Sequence, residues 1–186
     1  LLLVGHFEYI KRINDMKQKV IKNFLDKEVF ENIENLVTKD FHSSGLDFPW
    51  YFQDAISGRP EEPKNHHYFK HIIYHGGQIN SDYWDYFKNI PIKLNAKKLH
   101  RMYVNFYHNT DKLVVHTPHI DHINGEIIPH KGCIISLNTC DGFTVTKETR
   151  VKSIKNQALF FNPSILHSST SCTNANGRFN ININYE

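Results

Sequence analysis

The segment HTPHIDH, residues 116–122, carries side chains of the types that bind transition metals in proteins. His119 and Asp121 are two residues apart, so in a β-strand their side chains leave the same face, whereas in a helix they would diverge. Pro118 disfavours a helix directly before them. One His-x-Asp triplet is expected by chance in a chain with 13 histidines, so the rest of the sequence has to supply the specificity.

A second histidine is needed to complete a metal site. His167, in the segment ILHSS, is the only histidine after His130. Together with His119 and Asp121 it would form the set of two histidines and one carboxylate that binds Fe(II) and leaves coordination positions open. The alternative is a core histidine that is hydrogen-bonded within a sheet.

Arg178 suits the recognition of an anion near this site. It lies 11 residues after His167 and begins the next predicted strand. We expect antiparallel neighbours to bring the two residues together, where a guanidinium would bind a carboxylate through two hydrogen bonds. The alternative for a single arginine is a solvated position at a strand end.

Short strands separated by turn residues fill the chain from residue 100 onward, which indicates an antiparallel sandwich or a small barrel. In the last strand apolar residues alternate with Arg178 and three asparagines, so one face is apolar and the other is polar. We expect the apolar face to pack on helices and the polar face to meet solvent or a wet pocket. The predicted strands are 100–107, 132–138, 143–147, 150–154, 157–161, 165–170 and 178–185.

The first half of the chain is predicted to be mainly helical. An apolar stripe over residues 27–39 predicts a helix that packs on a sheet, with Asp26 as its N-cap. The other predicted elements are a helix over 7–18, strands over 20–24 and 66–74, a short helix over 82–89 capped by Ser81, and a connector or brief helix over 91–99. We therefore predict one domain, in which N-terminal helices cover one face of the β-structure.

Aromatic residues cluster in a loop-like stretch over residues 40–65, which is rich in glycine and proline. This cluster either belongs to the core or lines a substrate cleft. Its members are Phe48, Trp50, Tyr51 and Phe52.

Composition excludes several functional classes. The net charge of this 186-residue chain is +3 and no run of five like charges occurs, so a nucleic-acid partner is not expected. The apolar start LLLV is too short for a signal peptide or a membrane span, so no membrane partner is expected either. Cys133, Cys140 and Cys172 include no C-x-x-C pair and fit reduced thiols, which favours a cytoplasmic location.

Three segments, HTPHIDH, ALFFNPSILHSS and GRFNININYE, together resemble the 2-oxoglutarate/Fe(II)-dependent dioxygenases. The resemblance is strongest to the prolyl 4-hydroxylase-like branch, in the compact form found in phage and marine microbial genomes. It covers residues 101–186 well and 19–90 loosely. It implies a double-stranded β-helix, a jelly-roll-like barrel with helices on its larger sheet, and a β-barrel catalytic core over 100–186 with helical N-terminal support over 1–99.

The same resemblance assigns roles residue by residue. It implies that the iron ligands, and hence the catalytic centre, are His119, Asp121 and His167. It implies that the cosubstrate 2-oxoglutarate is bound by Arg178 at its distal carboxylate, and also by Tyr107, Asn180 and Ser136. In this fold the polar face of the last strand points into the barrel.

The sequence departs from the family pattern at several positions. Many prolyl-hydroxylase-like members carry lysine where this chain has Arg178, which leaves the substrate open. A Gly-Gly pair of the family is reduced to Gly142. His116, His122 and His130 are additional histidines, expected at the surface or beside the site rather than as ligands.

The resemblance implies a reaction in which Fe(II), 2-oxoglutarate and O2 yield succinate, CO2 and a hydroxylated aliphatic C–H group. Ascorbate is a candidate auxiliary cofactor. The candidate substrates are a prolyl residue of a peptide or protein, or a small molecule. In a phage-encoded protein the compartment would be the host cytoplasm.

Two other readings stay open at this point. One is a catalytically silent β-barrel that acts as a binding module or a phage structural component. The other is a metal-binding barrel that does not use 2-oxoglutarate. The sequence does not indicate an oligomeric state.

Overall fold

The computed structural model describes residues 17–39, 47–57, 62–123, 125–126, 128, 130–147 and 149–186. The strands are β1 (Lys19–Ile21), β2 (Tyr51–Gln53), β3 (Tyr68–His75), β4 (Gln78–Ile79), β5 (Leu99–His108), β6 (Lys131–Ser136), β7 (Phe143–Val145), β8 (Arg150–Lys152), β9 (Gln157–Phe161) and β10 (Gly177–Tyr185). The helices are α1 (Lys27–Thr38), α2 (Trp84–Phe87), α3 (Asn89–Lys93) and a 3-10 helix (Lys64–His66).

Two layers of antiparallel structure form the barrel. The larger sheet has the strand order β1-β9-β6-β10-β5-β3-β2, with β4 added at β3. Facing it are the β7–β8 hairpin and single bridges that join Val115 to Thr170, His119 to His167 and Val145 to Ser168. From β5 onward the chain passes repeatedly between these two layers, which confirms the predicted double-stranded β-helix.

The alternation in β10 explains how the layers are held together. Ile181 and Ile183 are completely buried and pack in one cluster with Ile33 and Leu36 of α1. The opposite face of β10 points into the barrel, where Arg178 and two of the asparagines are buried. The strand thus joins an apolar core on one side to a polar interior on the other, as the period of two predicts.

The capping residues of the helices differ from the prediction. The helix predicted over residues 27–39 is confirmed as α1, and Asp26 precedes it, but the Asp26 side chain makes no capping hydrogen bond. Its carboxylate lies 2.9 Å from Nζ of Lys93, so an ion pair competes for the oxygen that a cap would use. Ser81 accepts a hydrogen bond from the Tyr83 amide at 3.1 Å and contacts His71, and it therefore shapes the turn before α2 rather than capping the helix.

In the described part of the N-terminal half, the strands predicted over residues 20–24 and 66–74 are present as β1 and β3, and β2 is an additional strand; all three join the larger sheet. β3 begins at Tyr68, two residues later than predicted, since residues 64–66 form the 3-10 helix. The helix predicted over residues 7–18 falls almost entirely outside the described residues.

Segment 165–170 is not a regular strand beside β10, so that prediction is wrong. β10 pairs with β5 and β6. Segment 165–170 instead bridges to residues 115, 119 and 145 in the opposite layer. The physical reason is that the chain crosses from the smaller layer to the larger sheet between these two segments, which places His167 and Arg178 in different layers.

The aromatic cluster divides between core and surface. Phe48 is buried, and Trp50 packs against Phe106 and Phe179 at ring-centre distances of 5.5 and 6.0 Å. Tyr51 and Phe52 are each 59% exposed on β2. The core alternative therefore describes the first two residues only.

The remaining composition-based predictions concern thiols and membranes. The three cysteines are free and buried. In the part of the chain that is described, no helix has the length and apolar character needed to cross a bilayer.

The packing of α1 on the sheet predicts the effect of truncating its buried stripe. Ile33→Ala should lower the free energy of unfolding by about 2–5 kcal/mol, because it removes a completely buried side chain and leaves a cavity. Urea unfolding followed by circular dichroism measures this. Glu31→Ala, on the exposed face of the same helix, is the control and should change stability by no more than about 0.5 kcal/mol. Equal effects of the two substitutions would contradict this account of the core.

Candidate metal centre

His119 and His167 form a directly opposed pair across the two bridged segments. Each backbone amide donates to the carbonyl of the other residue at 2.9 Å. Opposed residues of an antiparallel pair project to the same face, and the two imidazole rings accordingly lie 4.5 Å apart, centre to centre. The backbone pairing therefore places the two rings side by side.

Asp121 completes the group. Its backbone amide donates to the carbonyl of Pro163 at 2.9 Å, which holds residue 121 beside the loop that leads to His167. Its Oδ1 lies 3.8 Å from Nε2 of His119 and 3.8 Å from Nε2 of His167. The three potential ligand atoms all lie within 4.8 Å of one another, so one ion can contact them all.

Both histidines direct Nε2 toward the shared position. Nδ1 of His167 contacts the carbonyl of Ile165 at 2.9 Å, and Nδ1 of His119 contacts the carbonyl of Thr117 at 3.3 Å. A carbonyl only accepts, so each Nδ1 carries the proton and each Nε2 keeps a lone pair for a metal. Burial lowers the pKa of His167 to about 4 although Asp121 opposes the shift, so this ring is a neutral ligand at physiological pH.

A ring of hydrogen bonds holds the Asp121 carboxylate. Nη2 of Arg101 contacts Oδ1 at 2.6 Å, Nδ2 of Asn184 donates to Oδ2 at 3.0 Å, and Nε of Arg101 donates to the Asn184 amide oxygen at 2.6 Å. Burial by itself would raise the pKa of Asp121, but Arg101, His167 and His119 together hold it below its usual value. Asp121 is therefore an anion in a fixed orientation.

The sequence analysis missed Arg101 and Asn184, although a signal was present. In β5, Arg101, Tyr103, Asn105 and Tyr107 alternate with residues of the apolar core, just as the polar residues of β10 do. The register pairs Arg101 with Asn184 and Tyr107 with Arg178. The period of two could have identified this inward face, while the pairing depends on the fold.

Arg178 lies on the same inward face of β10 and is 1% exposed. Its Nη1 donates to the carbonyl of Thr170 at 3.2 Å and its Nη2 to Oγ1 of Thr144 at 2.7 Å. Its Nε has no hydrogen-bond partner in the structure, and no carboxylate among the described residues forms an ion pair with it. A buried cation without an anion is costly, so this position suits a negatively charged ligand.

The remaining predicted cosubstrate contacts gather around this guanidinium. The Tyr107 ring centre lies 5.4 Å from Cζ of Arg178, and the side chains of Ser169 and Asn180 act with Arg178 to lower the pKa of Tyr107. Burial outweighs them and raises the pKa of Tyr107, so its hydroxyl stays protonated and can donate. Ser136 is buried directly opposite Asn180 in the β6–β10 register.

A cavity of about 330 Å³ is lined by two of the three potential ligands, His119 and Asp121. Its lining residues are Ile56, Ser57, Tyr68, Lys70, Arg101, Tyr103, Asn105, Tyr107, His119, Ile120, Asp121, His122 and Asn182. Arg178 does not line it but lies behind the ring of Tyr107, and none of the aromatic residues 48–52 lines it. The hypothesis that residues 48–52 form a substrate cleft therefore receives no support from this cavity.

One wall of the cavity is fixed by the Glu62 side chain. The carboxylate accepts hydrogen bonds from the backbone amides of Ile56 and Ser57 at 3.0 and 2.8 Å. Nδ1 of His66 lies 3.4 Å from the same carboxylate and accepts a hydrogen bond from the Thr117 amide at 3.2 Å. The wall is thereby tied to the segment that carries His119.

The additional histidines stay outside the group of potential ligands, as expected. His122 is exposed and lines the cavity, whereas His116 and His130 are buried, so a surface position is wrong for those two. Nδ1 of His116 lies 2.8 Å from Oγ of Ser169, and its ring lies 5.3 Å from that of Tyr107. His116 therefore supports the side chains around Arg178.

Comparison with known proteins identifies the fold. No protein-family model matches the sequence, and no curated protein matches it. Solved structures do match. An oxidoreductase of the 2OG-Fe(II) oxygenase family from Burkholderia pseudomallei superposes with a TM-score of 0.63 at 12% identity, over 97% of this chain and 91% of its own.

Two prolyl hydroxylases are also similar. The viral collagen prolyl hydroxylase of Paramecium bursaria Chlorella virus-1, in a 2-oxoglutarate complex, has a TM-score of 0.54 at 12% identity and covers 92% of this chain and 97% of its own. A prolyl hydroxylase from Trichoplax adhaerens, bound to a peptide fragment of the hypoxia inducible factor oxygen degradation domain, has a TM-score of 0.55 at 13% identity and covers 99% and 91%. At these identities the likeness shows that the chain has the fold of the 2-oxoglutarate/Fe(II) oxygenases.

Burial of His116 predicts a pH-dependent stability. Desolvation, helped by the nearby charges of His66 and Arg178, lowers its pKa from 6.5 to about 3, so the unfolded chain binds a proton more readily than the folded chain. The contribution of His116 is present above pH 6.5 and is lost as the pH falls toward 3. The stability advantage of wild type over His116→Asn should therefore shrink by about 2 kcal/mol between pH 7.5 and pH 5.

Urea unfolding of both proteins in the presence of a chelator measures this difference without a contribution from metal binding. An advantage that does not change with pH would contradict the effect assigned to burial of His116.

Proposed function

We propose that this chain is an Fe(II)- and 2-oxoglutarate-dependent oxygenase that hydroxylates an aliphatic C–H group, with release of succinate and CO2. The observation that carries the proposal is the convergence of His119, Asp121 and His167, whose ligand atoms lie within 4.8 Å of one another beside a cavity in the barrel. The buried, unpaired guanidinium of Arg178 on the inward face of the same barrel is the second support.

The donor set fits Fe(II). Two neutral imidazole nitrogens and one carboxylate form the facial triad typical of non-haem Fe(II) oxygenases, and they leave positions for a bidentate cosubstrate and O2. Iron supplies the redox chemistry that activates O2 when it is bound there. The protein would contribute the fixed orientation of each ligand, through the carbonyls that contact the two Nδ1 atoms and through the bonds from Arg101 and Asn184 to Asp121.

The interior of the barrel fits a dicarboxylic cosubstrate. Arg178 would bind the distal carboxylate, since a guanidinium buried among neutral groups offers the strongest attraction for an anion there. Tyr107 would donate its hydroxyl to the same carboxylate. Asn180 and Ser136, which face each other across β10 and β6, would complete the polar surroundings.

The two other readings are less well supported. A silent binding module has no need for two histidines, both oriented with Nε2 toward one carboxylate oxygen 3.8 Å away. A metal barrel without 2-oxoglutarate leaves the buried Arg178 without an anion. A prolyl residue of a peptide stays a candidate substrate, because two similar structures are those of prolyl hydroxylases.

Substitution at the two ends of the site should separate iron binding from cosubstrate binding. His167→Ala should lose Fe(II), because it removes one of three ligands. Arg178→Ala should keep Fe(II) but bind 2-oxoglutarate roughly 10- to 150-fold more weakly, as expected for the loss of a charge-assisted hydrogen bond. Metal content after anaerobic loading and the visible charge-transfer band during titration with 2-oxoglutarate measure the two effects.

Arg178→Lys is the matched variant, since it keeps the charge and should retain more cosubstrate affinity than Arg178→Ala. The proposal fails if the wild-type protein binds Fe(II) but gives no band with 2-oxoglutarate. The residue assignments fail if His167→Ala and Arg178→Ala both form succinate at the wild-type rate.

Gly142 offers a test that leaves every proposed ligand in place. A Cβ at this position would lie 2.8 Å from Cδ of Arg178 and 2.5 Å from the carbonyl oxygen of Ser171. Gly142→Ala should therefore displace Arg178 and weaken 2-oxoglutarate binding, with a loss of stability of about 1–3 kcal/mol.

Gly77→Ala is the control for this substitution. It strains a backbone with φ +86° and also loses stability, but nothing lies within 4 Å of its Cβ, so cosubstrate affinity should not change. Calorimetric titration with 2-oxoglutarate measures both variants, and an unchanged affinity in Gly142→Ala would contradict the role given to the Arg178 environment.

A further inference from the structure

Two basic side chains face the cavity beside the metal centre. Lys70 of β3 and Arg101 of β5 both line it. Nζ of Lys70 lies 5.0 Å from the ring centre of Tyr103, and Cζ of Arg101 lies 5.3 Å from the same ring. The Tyr103 ring therefore contacts both cations on the cavity wall.

Arg101 and Lys70 differ in their polar partners. Arg101 is bound to Asp121 and Asn184 by short contacts, so its position is set by the metal centre. Lys70 forms no ion pair with any described residue, and its Nζ lies over the Tyr103 ring. Burial and the charge of Arg101 lower the pKa of Lys70, which shows that the two groups affect each other electrostatically.

The described side chains that line the cavity include two cations, Lys70 and Arg101, and one carboxylate. Among the described residues that line it, Asp121 is the only acidic one, and its carboxylate is a proposed ligand of the metal. The neighbouring polar residues Tyr103, Asn105 and Asn182 are neutral. A dication bound at the metal centre would take up the charge of Asp121 and leave Lys70 and Arg101 without an acidic partner in the cavity.

We infer that the primary substrate is a small carboxylic acid whose carboxylate is bound by Lys70, with Arg101 adding to the attraction. This inference rests on the proposed function and names the substrate class of the same site. A cavity of about 330 Å³ lies at the lower end of the range for small-molecule sites, which favours a small acid over an extended peptide. Arg101 contacts Asp121 directly and Lys70 lines the same cavity, so a substrate anchored there would present its neighbouring C–H groups to the metal centre.

The test compares acids with neutral analogues of the same shape. The protein is loaded with Ni(II) in place of Fe(II) and saturated with 2-oxoglutarate, and calorimetry or ligand-observed NMR then measures the binding of L-proline, L-glutamate and butanoate. Each is paired with its carboxamide, namely L-prolinamide, L-glutamine and butanamide. We expect at least one acid to bind, and its amide to bind roughly tenfold or more weakly.

Lys70→Met tests the assigned residue, because methionine keeps the length of the side chain and removes the charge. It should weaken binding of the acid by roughly 10- to 150-fold and leave binding of the amide and of 2-oxoglutarate unchanged. Lys152→Met, on the exposed strand β8, is the matched control and should bind the acid like wild type.

Several results would overturn the inference. The inference is wrong if acids and amides bind equally well, or if Lys70→Met binds the acid as tightly as the wild-type protein does. It is also wrong if no acid binds at concentrations up to about 10 mM. Binding of a short proline-containing peptide in the absence of binding by any small acid would also overturn it. The titration with 2-oxoglutarate in the same preparation separates the two proposals. A protein that does not bind 2-oxoglutarate contradicts the proposed function. A protein that binds 2-oxoglutarate but shows no preference for acids over amides contradicts only the substrate class.

Discussion

The reciprocal backbone hydrogen bonds between His119 and His167 are the constraint on which the site depends. They fix the register of two segments that lie 48 residues apart in the sequence, and a slip of one residue would turn one imidazole to the other face. Asp121 follows at the same face, and its own amide is bonded to Pro163 in the loop before His167. Three potential ligands thus depend on one short stretch of pairing in the smaller layer, while the larger sheet and α1 supply the rigid support behind it.

The interior of the barrel shows how buried polar groups are made tolerable. Along β10 the inward positions run from Arg178 through Asn180 and Asn182 to Asn184. The strand therefore carries a cation at one end, and at the other end Asn184 donates a hydrogen bond to the Asp121 carboxylate. At the Asp121 end every charge has a partner, since Arg101 and Asn184 satisfy both carboxylate oxygens. At the Arg178 end the described acceptors of the guanidinium are neutral, an asymmetry that suits an anionic ligand.

The sequence predicts the faces of strands better than it predicts their partners. The alternation in residues 178–185 correctly separated a core face from an interior face, and the His-x-Asp spacing correctly placed both side chains together, because both inferences need only a period of two. The pairing of His167 with Arg178 was predicted wrongly, since the distance between residues in the chain does not tell which layer receives the next strand. Arg101 and Asn184 were missed for the same reason: 83 residues separate them, and only the β5–β10 register brings them to Asp121. Asp26 shows a local limit, because a suitable capping side chain was captured by Lys93 from a distant helix.

The ion pair between Arg101 and Asp121 bears on the order of folding and metal binding. A carboxylate buried in a barrel is normally a reason for a chain to fold only together with its metal. Here the Arg101 guanidinium already compensates the charge of Asp121 within the protein, and burial keeps His167 neutral. The barrel can therefore be complete before any ion arrives. Binding of an ion by His119, Asp121 and His167 would then be a step separate from folding.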